Sequence, residues 1–250
     1  FKQRFAAKLD GDIGGDEHGR EMEWRSATWR GRIFYALPLA DTTRADDRMR
    51  GMLTVSGLAC SRGERQLFAD VSFSLAAGEW LHVQGANGAG KTTLLRALVG
   101  LSPPAAGEIR WRGVLAREAE LPRDLLYLGH QAAVKDDLTP LENLRFAAAL
   151  DDAPLESFAA LAALARLGLR GREHLPVRVL SAGQKRRVLL ARLLTRRAPL
   201  WVLDEAFNAL DSQAVQLLGD LVGEHLAEGG IAVLTSHQPL PLPGGQELRL

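Results

Sequence analysis

Gly85-Ala86-Asn87-Gly88-Ala89-Gly90-Lys91-Thr92 matches the pattern G-x-x-x-x-G-K-[ST] at every specified position, and its flanks have the character that the pattern requires. The apolar run Trp80-Leu81-His82-Val83-Gln84 precedes it, and Thr93-Leu94-Leu95-Arg96-Ala97-Leu98-Val99 follows with leucines at helical spacing before Gly100, a C-terminal cap residue. Strand, glycine-rich turn and helix together predict a phosphate-binding loop. Glycines let successive N–H groups turn inward around the phosphates and approach them closely. Lys91 is then placed to reach the β- and γ-phosphates, Thr92 to hold Mg²⁺, Thr93 to donate to the α-phosphate, and the positive end of the following helix to face the anion. Gly85, Ala86, Asn87, Gly88, Ala89 and Gly90 form the cradle, and the expected ligand is a nucleoside triphosphate, ATP, with Mg²⁺.

The 250 residues are 46% hydrophobic and 24% charged, an ordinary globular balance with room for one large core. Lys and Arg number 31 and Asp and Glu 30, for a formal charge of +1, so no net field favours nucleic acid or an anionic membrane surface. No arginine-rich block interleaved with aromatics occurs, and nucleic acid is not an expected partner. The single cysteine, Cys60, can form neither an internal disulfide nor a zinc pattern and fits a reducing compartment. No run of about 18 apolar residues occurs, so the expected location is cytosolic, unless a membrane partner holds the chain.

Residues 1–51 are polar stretches without sustained periodicity, as in Gly11-Asp12-Ile13-Gly14-Gly15-Asp16, and little fixed structure is expected there. Folding is expected to begin at Met52, which opens the alternating Leu53-Thr54-Val55-Ser56-Gly57-Leu58. The leader 1–51 is read as upstream read-through or an added remnant. Leu125-Leu126-Tyr127-Leu128, Leu200-Trp201-Val202-Leu203 and Ile231-Ala232-Val233-Leu234 are apolar on both faces, as parallel strands between helices are. The fold class is therefore α/β, with an Ala- and Leu-rich helical insert at about 132–180.

The run Leu200-Trp201-Val202-Leu203 ends in Asp204 and Glu205, the acids a phosphate-loop ATPase needs at a second strand end. Asp204 is expected to hold Mg²⁺ through its water shell, and Glu205 to polarise the attacking water. Upstream of a helix stands Leu180-Ser181-Ala182-Gly183-Gln184, where Ser181 and exposed N–H groups suit a phosphate at a positive helix end.

With that pentapeptide the chain resembles the ATP-binding cassette family, whose signature is usually L-S-G-G-Q; Ala182 is a conservative departure. The resemblance implies a P-loop NTPase fold: a RecA-like core, an antiparallel β subdomain and the helical insert, here 52–250. It implies that two cassettes pack head to tail with ATP between them, so that Ser181, Gly183 and Gln184 serve the opposite subunit's nucleotide. Gln131 in Leu128-Gly129-His130-Gln131 matches the Q-loop, touching Mg²⁺ and the attacking water. Ala209-Leu210-Asp211 matches the D-loop, and His237 the switch histidine that senses the γ-phosphate. Arg62 stands where many members put an aromatic under adenine and would stack by its guanidinium plane. The usual Asp-Glu-Pro becomes Asp204-Glu205-Ala206, losing a rigid turn residue but no chemical group. His130 has no second ligand at useful spacing and is not assigned a metal or heme.

A finer resemblance rests on Glu79-Trp80, Gly129-His130-Gln131, Leu180-Ser181-Ala182-Gly183-Gln184-Lys185-Arg186-Arg187, Leu203-Asp204-Glu205-Ala206-Phe207-Asn208-Ala209-Leu210-Asp211 and Thr235-Ser236-His237-Gln238-Pro239-Leu240. These look like the heme-exporter ATP-binding subunits of bacterial cytochrome c maturation, the CcmA family, from about Met52 almost to Leu250. That likeness implies a peripheral subunit on the cytoplasmic side of the inner membrane, paired with integral membrane subunits and handling heme only through the complex. A transporter of another substrate, or a soluble cassette ATPase, explains the same ATPase motifs. Residues 132–143 are read either as a contact with a membrane subunit or as a surface loop.

Overall fold

The computed structural model describes residues 26–29, 32–35, 52–119, 121–129, 133–208, 210–236 and 240–250. The chain divides into two units, Phe1–Ala45 and Asp46–Leu250. In the first, strands Ser26–Trp29 (β1) and Arg32–Tyr35 (β2) pair antiparallel, with Ser26 opposite Tyr35. Little fixed structure is expected before Met52, yet this stretch holds a local hairpin. Thr28, Trp29, Ile33, Phe34 and Tyr35 are residue types that favour pleated backbone. The remainder of 1–51 lies outside the described residues.

The second unit contains two sheets. One is antiparallel, in the order β4-β3-β6-β7, from Leu53–Arg62 (β3), Arg65–Leu75 (β4), Ala106–Trp111 (β6) and Val114–Leu115 (β7). The other is parallel, in the order β11-β5-β10-β9-β8: Trp80–Gln84 (β5), Leu125–Leu128 (β8), Leu200–Leu203 (β9), Ile231–Thr235 (β10) and Gln246–Arg249 (β11). Every residue of β9 and β10 is buried, as strands covered on both faces must be.

The alternation within these strands separates two cores. Leu81, Val83, Val202, Ile231 and Val233 pack with Leu94, Leu95 and Leu98 of the helix Lys91–Leu98 (α1) and with Leu53, Val55 and Leu58 of the antiparallel sheet. Trp80, Trp201, Leu203, Ala232 and Leu234 face the other way. They meet the helices Pro140–Leu150 (α3), Ser157–Arg166 (α4), Ala182–Leu190 (α5), Arg192–Thr195 (α6) and Ser212–Ala227 (α7), α2 being the short Leu121–Asp124. The sequence-read insert is helical through α3 and α4 and ends in a 3₁₀ turn at Val177–Val179. A capping box starts α3: Thr139 Oγ1 accepts from the Glu142 N–H and the Glu142 carboxylate accepts from the Thr139 N–H, with Pro140 at the first helical position.

Strand order positions the site, because β10 lies between β5 and β9 and brings three strand ends side by side. On the outer side of β9, the His225 ring of α7 stacks on Trp201 at 3.9 Å and 3°, with Nε2 3.1 Å from the Ile231 carbonyl. Burial holds the His225 pKa below its ordinary value. The imidazole is therefore neutral in the fold and takes a proton more readily once unfolded. Its contribution to stability is complete above about pH 6.5 and is lost as pH falls toward the depressed folded value. H225F keeps an aromatic stack without the titration, so its melting temperature should depend less on pH than the parent's below about pH 6.5, as thermal denaturation across pH would show.

Candidate nucleotide site

Between β5 and α1 the chain turns through Gly85, Gly88 and Gly90 at φ +153°, +82° and +108°. Gly90 has a second reason to be glycine: a Cβ there would stand 2.9 Å from Phe68 Cδ1 and 3.2 Å from Leu67 Cβ. The β3–β4 hairpin thus packs directly on the loop, and Arg62, at the turn of that hairpin opposite Arg65, is exposed beside Gly63. Lys91 is buried, and its ammonium donates to the carbonyls of Gly85 at 2.7 Å and Ala86 at 3.2 Å. Ala86, Asn87 and Gly88 are exposed, Ala89 is half-buried, and Thr92 and Thr93 lie half-buried in the first turn of α1. Loop, lysine and helix N-terminus stand together, the arrangement that an anion cradle requires.

Asp204 leaves the end of β9 fully buried, 1% exposed. Its Oδ1 accepts from the Thr235 hydroxyl at 2.9 Å, whereas its buried Oδ2 has no hydrogen-bond partner among the described residues. A buried carboxylate oxygen without a donor is costly unless a cation satisfies it, so this atom suits a divalent metal. The same Thr235 hydroxyl accepts from the Glu205 N–H at 2.8 Å. One side chain at the end of β10 therefore ties both acids to the middle strand.

Glu205 adopts φ +53°, a left-handed conformation that costs a side-chain-bearing residue about 1–2 kcal/mol. Its surroundings hold it there. Asn208 Nδ2 donates to Glu205 Oε2 at 2.9 Å. From α5, the guanidinium of Arg186, itself 8% exposed, donates to the Glu205 carbonyl at 2.8 Å and reaches those of Asp204 at 3.5 Å and Ala206 at 3.4 Å. Burial lowers the pKa of Arg186, opposed by the charges of Asp204 and Glu205.

The start of α5 is exposed at Ser181 and half-buried at Gly183 and Gln184. Ser181 Oγ accepts from the Gln184 N–H at 3.3 Å, and the Gln184 amide oxygen accepts from the Ser181 N–H at 3.0 Å. This capping box commits part of the Gln184 side chain to the helix. No hydrogen bond among the described residues joins Ser181, Gly183 or Gln184 to the loop 85–93. Three residues after Gln184, Arg187 pairs with Asp211 at 2.6 Å, and Asp211 Oδ1 caps α7 by accepting from the Ala214 N–H at 2.8 Å. That N–H lowers the Asp211 pKa, helped by Arg187. Gln131, His237 and Ala209 lie outside the described residues.

Sequence reading missed Thr235, Asn208 and Arg186 as parts of the site. Asn208 follows Glu205 by one turn, and Thr235 closes an apolar strand beside the assigned His237; both positions carried a signal. Arg186 carried none, since it reads as one cation in Lys185-Arg186-Arg187.

The family model described as ABC transporter matches residues 68–208. Among solved structures, an ABC transporter ATP-binding protein from Pyrococcus furiosus superposes with a TM-score of 0.71 at 24% identity, over 79% of this chain and 96% of that one, which shows the shared fold. A cytochrome c biogenesis ATP-binding export protein CcmA from Dechloromonas aromatica is 53% identical over 203 residues, 80% of this chain and the whole of that protein. The CcmA of Methylococcus capsulatus is 49% identical over 199 residues, 77% of this chain and 94% of its own length. The chain belongs to the ATP-binding cassette family and, within it, to the CcmA group of cytochrome c biogenesis proteins. It is a nucleotide-binding ATPase.

T235V should keep the side-chain volume while leaving Asp204 Oδ1 and the Glu205 N–H unpaired. Stability in urea denaturation should fall by about 1–3 kcal/mol, and ATP turnover should fall with it.

Proposed function

We propose that this chain is the ATP-hydrolysing subunit of an inner-membrane exporter of cytochrome c maturation, acting as a head-to-tail pair of cassettes on the cytoplasmic face and handling heme only through its integral membrane subunits. The observation that carries the ATPase chemistry is Asp204: a buried carboxylate with one oxygen that has no hydrogen-bond partner among the described residues, with the single strand β10 between it and the lysine-bearing glycine loop. The heme assignment rests on the likeness to CcmA proteins, about half identical along nearly their whole length.

In this reading the Gly85 loop, Lys91 and Thr93 bind the triphosphate, while Thr92, Asp204 and Gln131 hold Mg²⁺. The metal supplies charge neutralisation on the phosphates. Glu205 orients the attacking water, whose oxygen bonds to the γ-phosphorus as the bond to the β–γ bridging oxygen breaks. ADP leaves, the water's proton passes toward the Glu205 carboxylate, and His237 contacts the γ-phosphate. Arg62 stacks on adenine. Ser181 and Gly183 of the second copy close on the same phosphate, so hydrolysis removes the charge that holds the pair together.

E205Q should retain ATP binding, accumulate as the closed pair and lose turnover by on the order of 10²-fold or more. In cells it should leave c-type cytochromes without heme. Undiminished hydrolysis would remove Glu205 from its role; normal cytochromes would refute the heme assignment alone.

The membrane contact is the groove of about 400 Å³ beside 133–150, lined by Val134, Lys135, Asn143, Phe146, Leu150 and Arg192. Phe146 is 42% and Leu150 70% exposed, an apolar rim of the kind that covers a partner helix. Asn143 braces the loop by accepting from the Lys135 N–H at 2.8 Å and donating to the Lys135 and Thr139 carbonyls. Asp136 and Asp137 are unsuitable probes of this contact, because they pair internally with Lys185 at 2.7 Å and Arg178 at 3.2 Å. L150E should abolish membrane association in a fractionation assay while leaving nucleotide binding unchanged; intact association would return 132–143 to a surface loop.

A further inference from the structure

The N-terminus of α5 and the strand end carrying Glu205 are parts of two different nucleotide sites in the paired cassettes, yet within one chain a single side chain joins them. Arg186 stands five residues after Ser181 on α5, about one and a half turns along a rigid rod. Its guanidinium is buried and grips consecutive backbone carbonyls at Asp204, Glu205 and Ala206. The middle one belongs to the residue at φ +53°, the conformation that a side-chain-bearing residue abandons unless it is held. Thr235 holds the Glu205 N–H and Asn208 its carboxylate; Arg186 holds its carbonyl from the opposite side.

We propose that Arg186 is a positioning residue that fixes the backbone of Glu205 from helix α5, making each hydrolytic site responsive to the phosphate that the same helix holds at Ser181 for its mate. The inference rests on the reading of Glu205 as the water-orienting group. A shift of α5 on engaging a phosphate moves the guanidinium, and the fork carries that displacement to three carbonyls rather than to one. Lysine offers a point charge without the planar fork and keeps only part of the hold. The geometry thus accounts for a cation buried against three consecutive backbone carbonyls. It also gives the two sites of a pair a route for cooperation through each chain.

The test uses the full chain together with its membrane subunits, comparing the parent, R186M, R186K and E205Q in steady-state ATPase assays at saturating Mg²⁺. R186M should lower kcat about ten- to a hundredfold, less than the roughly 10²- to 10³-fold loss of a donor that touches the reacting atoms, because Arg186 acts through Glu205. The KM for ATP should stay within about threefold, because the phosphate cradle is untouched. The Hill coefficient for ATP should fall toward one, and R186K should recover part of kcat. An unchanged kcat and Hill coefficient in R186M overturns the proposal. So does a loss of kcat that comes with an equal rise in KM and a fall in melting temperature that lysine does not relieve, since that pattern is general unfolding. Full turnover in E205Q instead overturns the assignment of Glu205; an inactive E205Q beside a fully active R186M overturns the role of Arg186 alone.

Discussion

A carboxylate sealed into a protein interior must find a donor or a cation, and among the described residues Asp204 finds a partner for only one of its two oxygens. That half-satisfied charge organises the rest of the molecule. It requires a strand to carry it into the interior, a hydroxyl at the neighbouring strand end to bind one oxygen, and a route by which a metal and a phosphate reach the other. The order β5-β10-β9 meets all three demands: Thr235 stands in the middle strand, with the Gly85 loop on one side and the two acids on the other. The α/β architecture is thus the means of bringing a buried carboxylate and a glycine-rich loop with its lysine to neighbouring strand ends while burying the backbone that supports both.

The two cores divide the work. Beneath α1 and the antiparallel sheet, the Leu and Val cluster anchors the phosphate loop, and Phe68 presses on Gly90. On the other face, α3 to α7 pack against Trp201 and Leu203, so every helix that bears a recognition or docking element rests on the strand that delivers the acids. Asp136 and Asp137 extend this arrangement outward. Their ion pairs with Lys185 and Arg178 tie the loop beside the groove to the start of α5, and Arg187 with Asp211 ties α5 to α7. Exposed pairs of this kind contribute little stability one by one, but together they set the register of these elements.

Much of this was legible in the chain before folding was considered. Eight residues, Gly85 to Thr92, sit on a motif whose geometry leaves few choices, and the strands around it are apolar on both faces, so loop, sheet and acids were read directly. Ser181 was read at the start of a helix, and it stands there as the cap of α5. Three classes of feature were not legible. The hairpin at Ser26–Trp29 and Arg32–Tyr35 is encoded by a handful of local β-formers that are lost in a polar segment. Roles such as those of Thr235 and Arg186 exist only after segments 18 to 31 residues apart in sequence are brought together, so no spacing rule reports them. The internal ion pairs of Asp136 and Asp137 likewise depend on where α5 and the turn before it land, which no spacing in the sequence reports.

The central claim is that one triphosphate is completed by two copies of this chain, with the metal at the oxygen that Asp204 leaves unpaired. The most direct measurement is an experimental structure of E205Q with Mg²⁺ and ATP in the assembled complex. The account predicts ATP held by Lys91 of one copy and Ser181 of the other, with the cation on the side of Asp204 Oδ2. Nucleotide bound within a single copy while Ser181 faces solvent, or a cation seated away from Asp204, would contradict it.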